Sequence, residues 1–238
     1  VTTTDVAART ERAATPRARG RAHRADDLAI AGLVPLSTCD WPGRLVATAF
    51  LQGCPWRCTY CHNPGLIDPR TPGVVRWDEV RDLLARRAGL LDGVVFSGGE
   101  PTRQPALVDA AREVRERGFG VGLHTSGAYP RRLAAVLPLV DWVGLDIKAP
   151  AHLYRAITRA GGATTSADAA FACLRLALDT GVDLQVRTTV DPTVLGPADV
   201  ERLSRELAAL GVREHVLQEV RPDGTTQEYR EALAAAQG

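Results

Sequence analysis

The sequence contains no methionine, and only one of its 29 basic residues, Lys148, is lysine. Aromatic residues make up just 5% of the 238 positions. GC-rich coding favours Arg, Ala, Gly and Pro codons and accounts for the arginine excess. A single lysine kept against that bias marks a position to watch. Val1 in place of methionine reads as a non-standard start codon translated literally. No run of 18 apolar residues occurs, and no apolar stretch follows the basic N-terminal residues, so neither a membrane span nor a secretory signal is expected. Cysteines are few and uneven, at 39, 54, 58, 61 and 173. A secreted disulfide scaffold would carry an even, dispersed set. Three cysteines within eight residues point instead to a metal or redox site in a reducing, cytoplasmic setting.

Strong charge of one sign is also missing. The net charge is +1, and residues 1–25 carry six arginines against two acids, which leaves the remainder slightly negative. Such a body offers no electrostatic footprint for nucleic acid. The arginine-rich start has no apolar periodicity. It reads as a disordered basic tail over 1–25 or an over-long translation start, with an organellar transit peptide as the alternative. Residues 26–238 are expected to form one domain, since 45% hydrophobic and 24% charged is ordinary globular composition.

Within that domain, 28–46 reads as a leading segment with turn signals at Trp41-Pro42-Gly43. Short apolar runs then alternate with amphipathic ones. The pattern predicts strands over 47–51, 93–97, 120–125, 141–147, 182–190 and 214–219. It predicts helices over 77–87, 104–117, 130–137, 166–180, 197–210 and 225–236, several closed by glycine or opened by proline. Repeated strand–helix units argue for a parallel α/β sheet. Six units are too few to close an eight-fold barrel, so a partial (β/α)6 TIM-like barrel is expected, with a doubly wound sheet as the alternative. In either, ligands sit at the C-terminal ends of the strands.

The polar motifs all fall at those ends. After the first predicted strand comes Gly53-Cys54-Pro55-Trp56-Arg57-Cys58-Thr59-Tyr60-Cys61-His62-Asn63-Pro64, a C-x3-C-x2-C loop. Soft thiolates select iron–sulfur clusters, zinc or Cu(I). Structural zinc needs a fourth ligand, for which His62 and Cys39 are candidates, whereas a four-iron cluster with three protein ligands keeps one iron open. Ser97-Gly98-Gly99-Glu100-Pro101 follows the second strand: glycines for close backbone approach, and a carboxylate able to accept from an amine. His124-Thr125-Ser126-Gly127 offers hydroxyls to a sugar, or a turn. Asp146 and Lys148 share one side of their strand by alternation, suited to a ligand or a salt bridge. Arg187 suits a carboxylate, or a buried ion pair.

C-x3-C-x-aromatic-C followed by Gly-Gly-Glu-Pro resembles the radical S-adenosylmethionine (SAM) superfamily. The strings from Gly32 to Gly43, Phe50 to Cys54, Tyr60 to Pro64, Leu90 to Pro101, Gly122 to Gly127 and Asp141 to Pro150 resemble the activating proteins of anaerobic ribonucleoside-triphosphate reductase. The similarity runs from about residue 30 to about residue 222. It implies a [4Fe-4S] cluster on Cys54, Cys58 and Cys61, with SAM chelating the open iron. It places Tyr60 near the adenine and Gly98, Gly99 and Glu100 at the methionyl amine. It puts Thr125 and Ser126 at SAM or a nearby cation, Lys148 of the Asp146-Ile147-Lys148 string at SAM, and Arg187 at a carboxylate. The family's Thr-Asn-Gly is Thr125-Ser126-Gly127 here. Cys39 stands where Thr, Ser or Val is usual and is expected to be a small buried residue rather than a further ligand. The implied reaction is reductive cleavage of SAM and removal of a glycine hydrogen atom from the reductase's glycyl-radical subunit, with flavodoxin or ferredoxin as electron donor. Two other radical SAM reactions compete, on a pyruvate formate-lyase type enzyme or on a small deazaguanine precursor, as does a zinc-stabilised binding module.

Overall fold

The computed structural model describes residues 23–160 and 166–237. Residues 1–22 of the expected basic tail lie outside them, and Ala25–Asp27 already form a 3-10 turn at the start of the domain. The elements in chain order are β1 (Ile30–Ser37), β2 (Val46–Leu51), α1 (Trp77–Arg86), β3 (Gly93–Gly98), α2 (Leu107–Glu116), β4 (Gly120–Thr125), α3 (Pro130–Val136), β5 (Trp142–Asp146), α4 (Tyr154–Thr158), α5 (Ser166–Thr180), β6 (Asp183–Val190), α6 (Pro197–Ala209), β7 (His215–Glu219) and α7 (Gln227–Gln237).

All seven strands form one sheet in the order β1-β2-β3-β4-β5-β6-β7. From β2 to β7 every pair is parallel. An order that never reverses excludes the doubly wound alternative, because right-handed crossovers that always advance put every helix on the same face. The result is the open (β/α)6 half-barrel the sequence predicts. One element differs: the leading segment is not merely turns, and β1 pairs antiparallel with β2 as an added edge strand. It carries Pro35 and two register shifts, the marks of an edge strand that sequence patterning misses. Among the described helices, none is long and apolar enough to cross a membrane.

Alternation divides the strands cleanly. Ala47, Ala49, Leu51, Val94, Phe96, Val121, Leu123, Val143, Leu145 and Val186 belong to the large core beneath the helices. The opposite, concave face holds a second, smaller cluster of Trp41, Val46, Val95 and Trp142. Trp41, from the β1–β2 turn, stacks on Trp142 with centroids 5.9 Å apart. The stack requires bare backbone beneath it: a Cβ at Gly122 would lie 2.9 Å from the Trp41 ring. The first hairpin thus folds inward and fills the lower half of the barrel.

Candidate active site

The cysteine loop leaves β2 at Gly53, whose N–H donates to the Leu66 carbonyl at 2.8 Å, while Cys54 N–H donates to Ile67 at 3.0 Å. Farther along, Arg57 N–H donates to Thr158 at 2.9 Å and Thr59 N–H to Ile157 at 3.0 Å, both carbonyls at the end of α4. Trp56 meets Tyr154 edge-on at 5.9 Å. Backbone bonds at two places and an aromatic contact therefore fix a loop that has no regular structure of its own. Cys54, Cys58 and Cys61 are free, half-buried thiols facing one cleft. Burial pushes Cys54 up to about 12 and raises Cys58, so a cation is needed to make them thiolates. Among the described residues no three His, Cys, Asp or Glu side chains gather tightly enough to hold a single metal ion.

The two proposed extra ligands are elsewhere engaged or differently placed. His62 Nε2 lies 3.0 Å from the Arg221 carbonyl. Cys39 is exposed, not buried as its size suggests, with Sγ 3.5 Å from Ser37 Oγ at the cleft floor. The inward turn of the hairpin lifts it out of the core.

Gly98 and Gly99 pack the end of β3 against the root of the cysteine loop. A Cβ at Gly98, which has φ +114°, would lie 2.3 Å from Leu51 N, and one at Gly99 2.5 Å from the Gly53 carbonyl. Both line the cleft, but the Glu100 carboxylate does not. Glu100 is fully buried. Its Oε1 accepts from Thr102 N–H at 3.0 Å, Thr102 Oγ1 at 2.6 Å and Thr125 Oγ1 at 2.8 Å. Its Oε2 accepts from Ser126 N–H at 2.8 Å and Ser126 Oγ at 2.6 Å. The carboxylate expected to meet an amine is spent on five internal donors. Thr125 and Ser126 line the cleft with their hydroxyl protons committed to Glu100, and Thr125 Oγ1 also accepts from Gly127 N–H at 3.0 Å.

The concave face of β4, β5 and β6 supplies the rest. Asp146 Oδ1 takes both Arg187 Nε at 3.2 Å and Arg187 Nη2 at 3.1 Å, and Asp146 Oδ2 faces Lys148 Nζ at 3.5 Å. Burial alone would raise Asp146, but Arg187 and Lys148 outweigh it and hold the carboxyl below its usual range. Arg187 is thereby committed to an ion pair and is not a free carboxylate receptor. Lys148 is buried, with its ammonium 5.4 Å from the Tyr60 ring centroid. Burial works against that ammonium, yet Tyr60, Cys58 and Asp146 around it raise it well above an ordinary lysine. Tyr60 carries the only buried side-chain polar atom without a partner among the described residues, its hydroxyl. The hydroxyl is enclosed, while the Tyr60 residue as a whole is 6% exposed and lines the cleft.

Motif reading passed over two neighbours, Asp40 and His124. His124 Nε2 bonds the Asp40 carbonyl at 2.7 Å, and Nδ1 is 3.4 Å from Ser97 Oγ. Asp40 Oδ2 accepts from Thr48 at 2.6 Å. Alternation was the available signal for His124: with Val121 and Leu123 toward the helices, it must face the cleft.

Together these groups line an open cleft of about 840 Å³ at the strand ends. A sequence profile of the Radical SAM superfamily matches residues 48–203, from β2 into α6. A Methanocaldococcus jannaschii protein provisionally assigned as a glycyl-radical enzyme activating enzyme is 31% identical over 181 residues, 74% of each chain. The pyruvate formate-lyase-activating enzyme of Clostridium pasteurianum is 34% identical over 134 residues, 54% of this chain and 52% of that one. The structure of native anSMEcpe with bound AdoMet superposes with TM-score 0.55 at 17% identity, over 71% of this chain and 50% of that one, which speaks for the fold. With the profile spanning most of the sheet and the archaeal relative aligned across nearly three quarters of both chains, this chain belongs to the radical SAM superfamily.

Proposed function

We propose that this chain is a glycyl-radical-enzyme activase whose target is anaerobic ribonucleoside-triphosphate reductase. The observation that carries the reading is the shared cleft: three free thiols on one loop line the same space as Tyr60 and the buried Lys148. This donor set fits the family's two cofactors, a [4Fe-4S] cluster and SAM. Cys54, Cys58 and Cys61 would hold the cluster by three thiolates. When bound, the pair supplies one-electron cleavage of the SAM sulfonium and a carbon-centred radical able to take a hydrogen atom.

The chain's own groups bind and orient. Gly98 and Gly99 let backbone approach the methionyl end closely. Ser126 is placed to accept a hydrogen bond, because Glu100 takes its proton, whereas Thr125 Oγ1 already accepts from Gly127 N–H. Lys148 places its ammonium over the Tyr60 ring at the cleft, a cation and an aromatic face together. No side-chain acid or base is needed, and the protein's task is orientation and exclusion of water. At about 840 Å³ the cleft is at the upper end of the roughly 300–1,000 Å³ usual for small-molecule sites, which leaves room for a polypeptide loop beside the cofactor. Flavodoxin or ferredoxin would supply the electron.

Similarity to the clostridial enzyme favours a second target, a pyruvate formate-lyase type protein. The deciding experiment mixes the reconstituted chain, SAM and a reductant anaerobically with each candidate and records EPR. A glycyl-radical signal on the reductase subunit is expected. A signal on pyruvate formate-lyase alone would reassign the target, and none on either would reject activase function for these partners.

A further inference from the structure

A second buried carboxylate lies behind the cleft. Asp191 follows β6 directly and is fully buried. Its Oδ1 accepts from Thr193 N–H at 3.0 Å, Thr193 Oγ1 at 2.6 Å and Tyr229 Oη at 2.8 Å. Its Oδ2 accepts from Thr59 Oγ1 at 2.8 Å. Thr59 sits between Cys58 and Tyr60, and Tyr229 is on α7, at the far end of the chain. One carboxylate thus joins the cysteine loop, the β6–α6 connection and the C-terminal helix.

We infer that Asp191 is a positioning residue that latches the cysteine loop, through Thr59, to Tyr229 of α7. Several features point this way. The backbone bonds of the loop, to Ile157 and Thr158, come from α4, a helix of only five residues. The Thr59 hydroxyl bond is a separate tie, reaching 132 residues along the chain. Hydrogen bonds to a buried carboxylate are stronger than neutral ones and set direction as well as distance. Moving Thr59 would swing Cys58 on one side and Tyr60 on the other. A polar network of this kind holds firmly only when every member is satisfied. The latch makes α7 part of the cluster site's support although α7 contributes no ligand.

This inference rests on reading the cysteine loop as the cluster site. Its test uses the full chain, reconstituted anaerobically with iron and sulfide. Thr59→Val removes the hydroxyl, Thr59→Ser keeps it, and Tyr229→Phe removes the donor on α7. Thr59→Val and Tyr229→Phe should lose iron to a chelator roughly tenfold faster than the wild type, the scale of one hydrogen bond to a charged group. They should also shift the EPR g-values of the reduced cluster, while Thr59→Ser matches the wild type in both. A wild-type rate in Thr59→Val, or equal rates in the Val and Ser variants, overturns the latch. Hydrogen exchange over residues 54–62 in the iron-free chain gives a second arm. Faster exchange in Thr59→Val, confined to that loop, supports the latch, and unchanged exchange there overturns it. Failure of the cluster reading has a separate signature, a wild-type chain that takes up no iron, and the exchange arm still decides the latch.

Discussion

Ser126 is bonded to Glu100 twice, its backbone N–H at 2.8 Å and its hydroxyl at 2.6 Å converging on the same carboxylate oxygen. The pair ties the end of β4 to the end of β3 and decides what Glu100 does. An amide at this position would turn N–H toward donors. Glu100→Gln is therefore expected to cost about 2–4 kcal/mol of folding stability, read as a lower urea midpoint at unchanged slope. If the carboxylate instead bound the SAM amine, the same variant would keep its midpoint and lose SAM affinity.

Lys148 and Tyr60 answer a different question, because both line the cleft. Arg is forked and bulkier than Lys, so Lys148→Arg should weaken SAM binding, measured by calorimetry on the reconstituted chain. Unchanged affinity would return Lys148 to the role of Asp146's ion-pair partner. Tyr60→Phe removes a hydroxyl with no partner among the described residues. It should leave the ligand-free chain as stable as the wild type or slightly more so, read as an unchanged or higher urea midpoint, and a lowered midpoint would show that the hydroxyl has a stabilising partner.

His124 gives the fold a pH dependence. Burial, helped by the Arg187 charge, lowers it from 6.5 to about 4. In the unfolded chain the imidazole takes a proton near its ordinary value, and in the folded chain only near the lowered one. Falling pH therefore favours the unfolded state, and the contribution present above about pH 6.5 is lost progressively toward pH 4. The charged groups near the ring are Arg187, Asp146 and Asp40, with Ser97 Oγ at Nδ1 and Trp142 edge-on against it. The urea midpoint should drop between pH 6.5 and 5, and the drop should flatten in His124→Gln. An identical pH profile in that variant would remove His124 as the cause.

Cys58→Ala tests the cysteine loop itself. Loss of both the reduced-cluster EPR signal and SAM cleavage is expected, with folding retained because Cys58 is only half-buried. An unchanged cleavage rate would sink the ligand assignment.

Patterning carried far in some elements and stopped in others for physical reasons. Ser166–Thr180 forms with the ends predicted, since apolar periodicity and the Gly181 stop are local signals. The strand Ile30–Ser37 escaped because six of its eight residues in a row are only partly or little covered, and Pro35 breaks the strand signature. Tyr154–Thr158 is too short to show a period. At the site, sequence motifs located Cys54, Gly98, Thr125, Asp146 and Lys148 on one cleft. They did not tell a carboxylate facing outward from one facing inward. Glu100 and Thr125 are 25 residues apart, and Asp191 and Thr59 132 apart. Such pairings depend on which strands become neighbours.

Trp41 leaves one more mark on the molecule. A barrel that stops at six parallel strands would have a hollow bottom, and hollow space forfeits the dispersion contacts that dense packing provides. The first hairpin supplies the missing volume from inside, and the same turn carries Cys39 and Asp40 to the cleft floor. The depth of the reaction chamber is therefore set by the length of a β-turn at its base. A residue inserted between Ser37 and Trp41 would be felt not at the sheet edge where it is made but beneath the bound ligand.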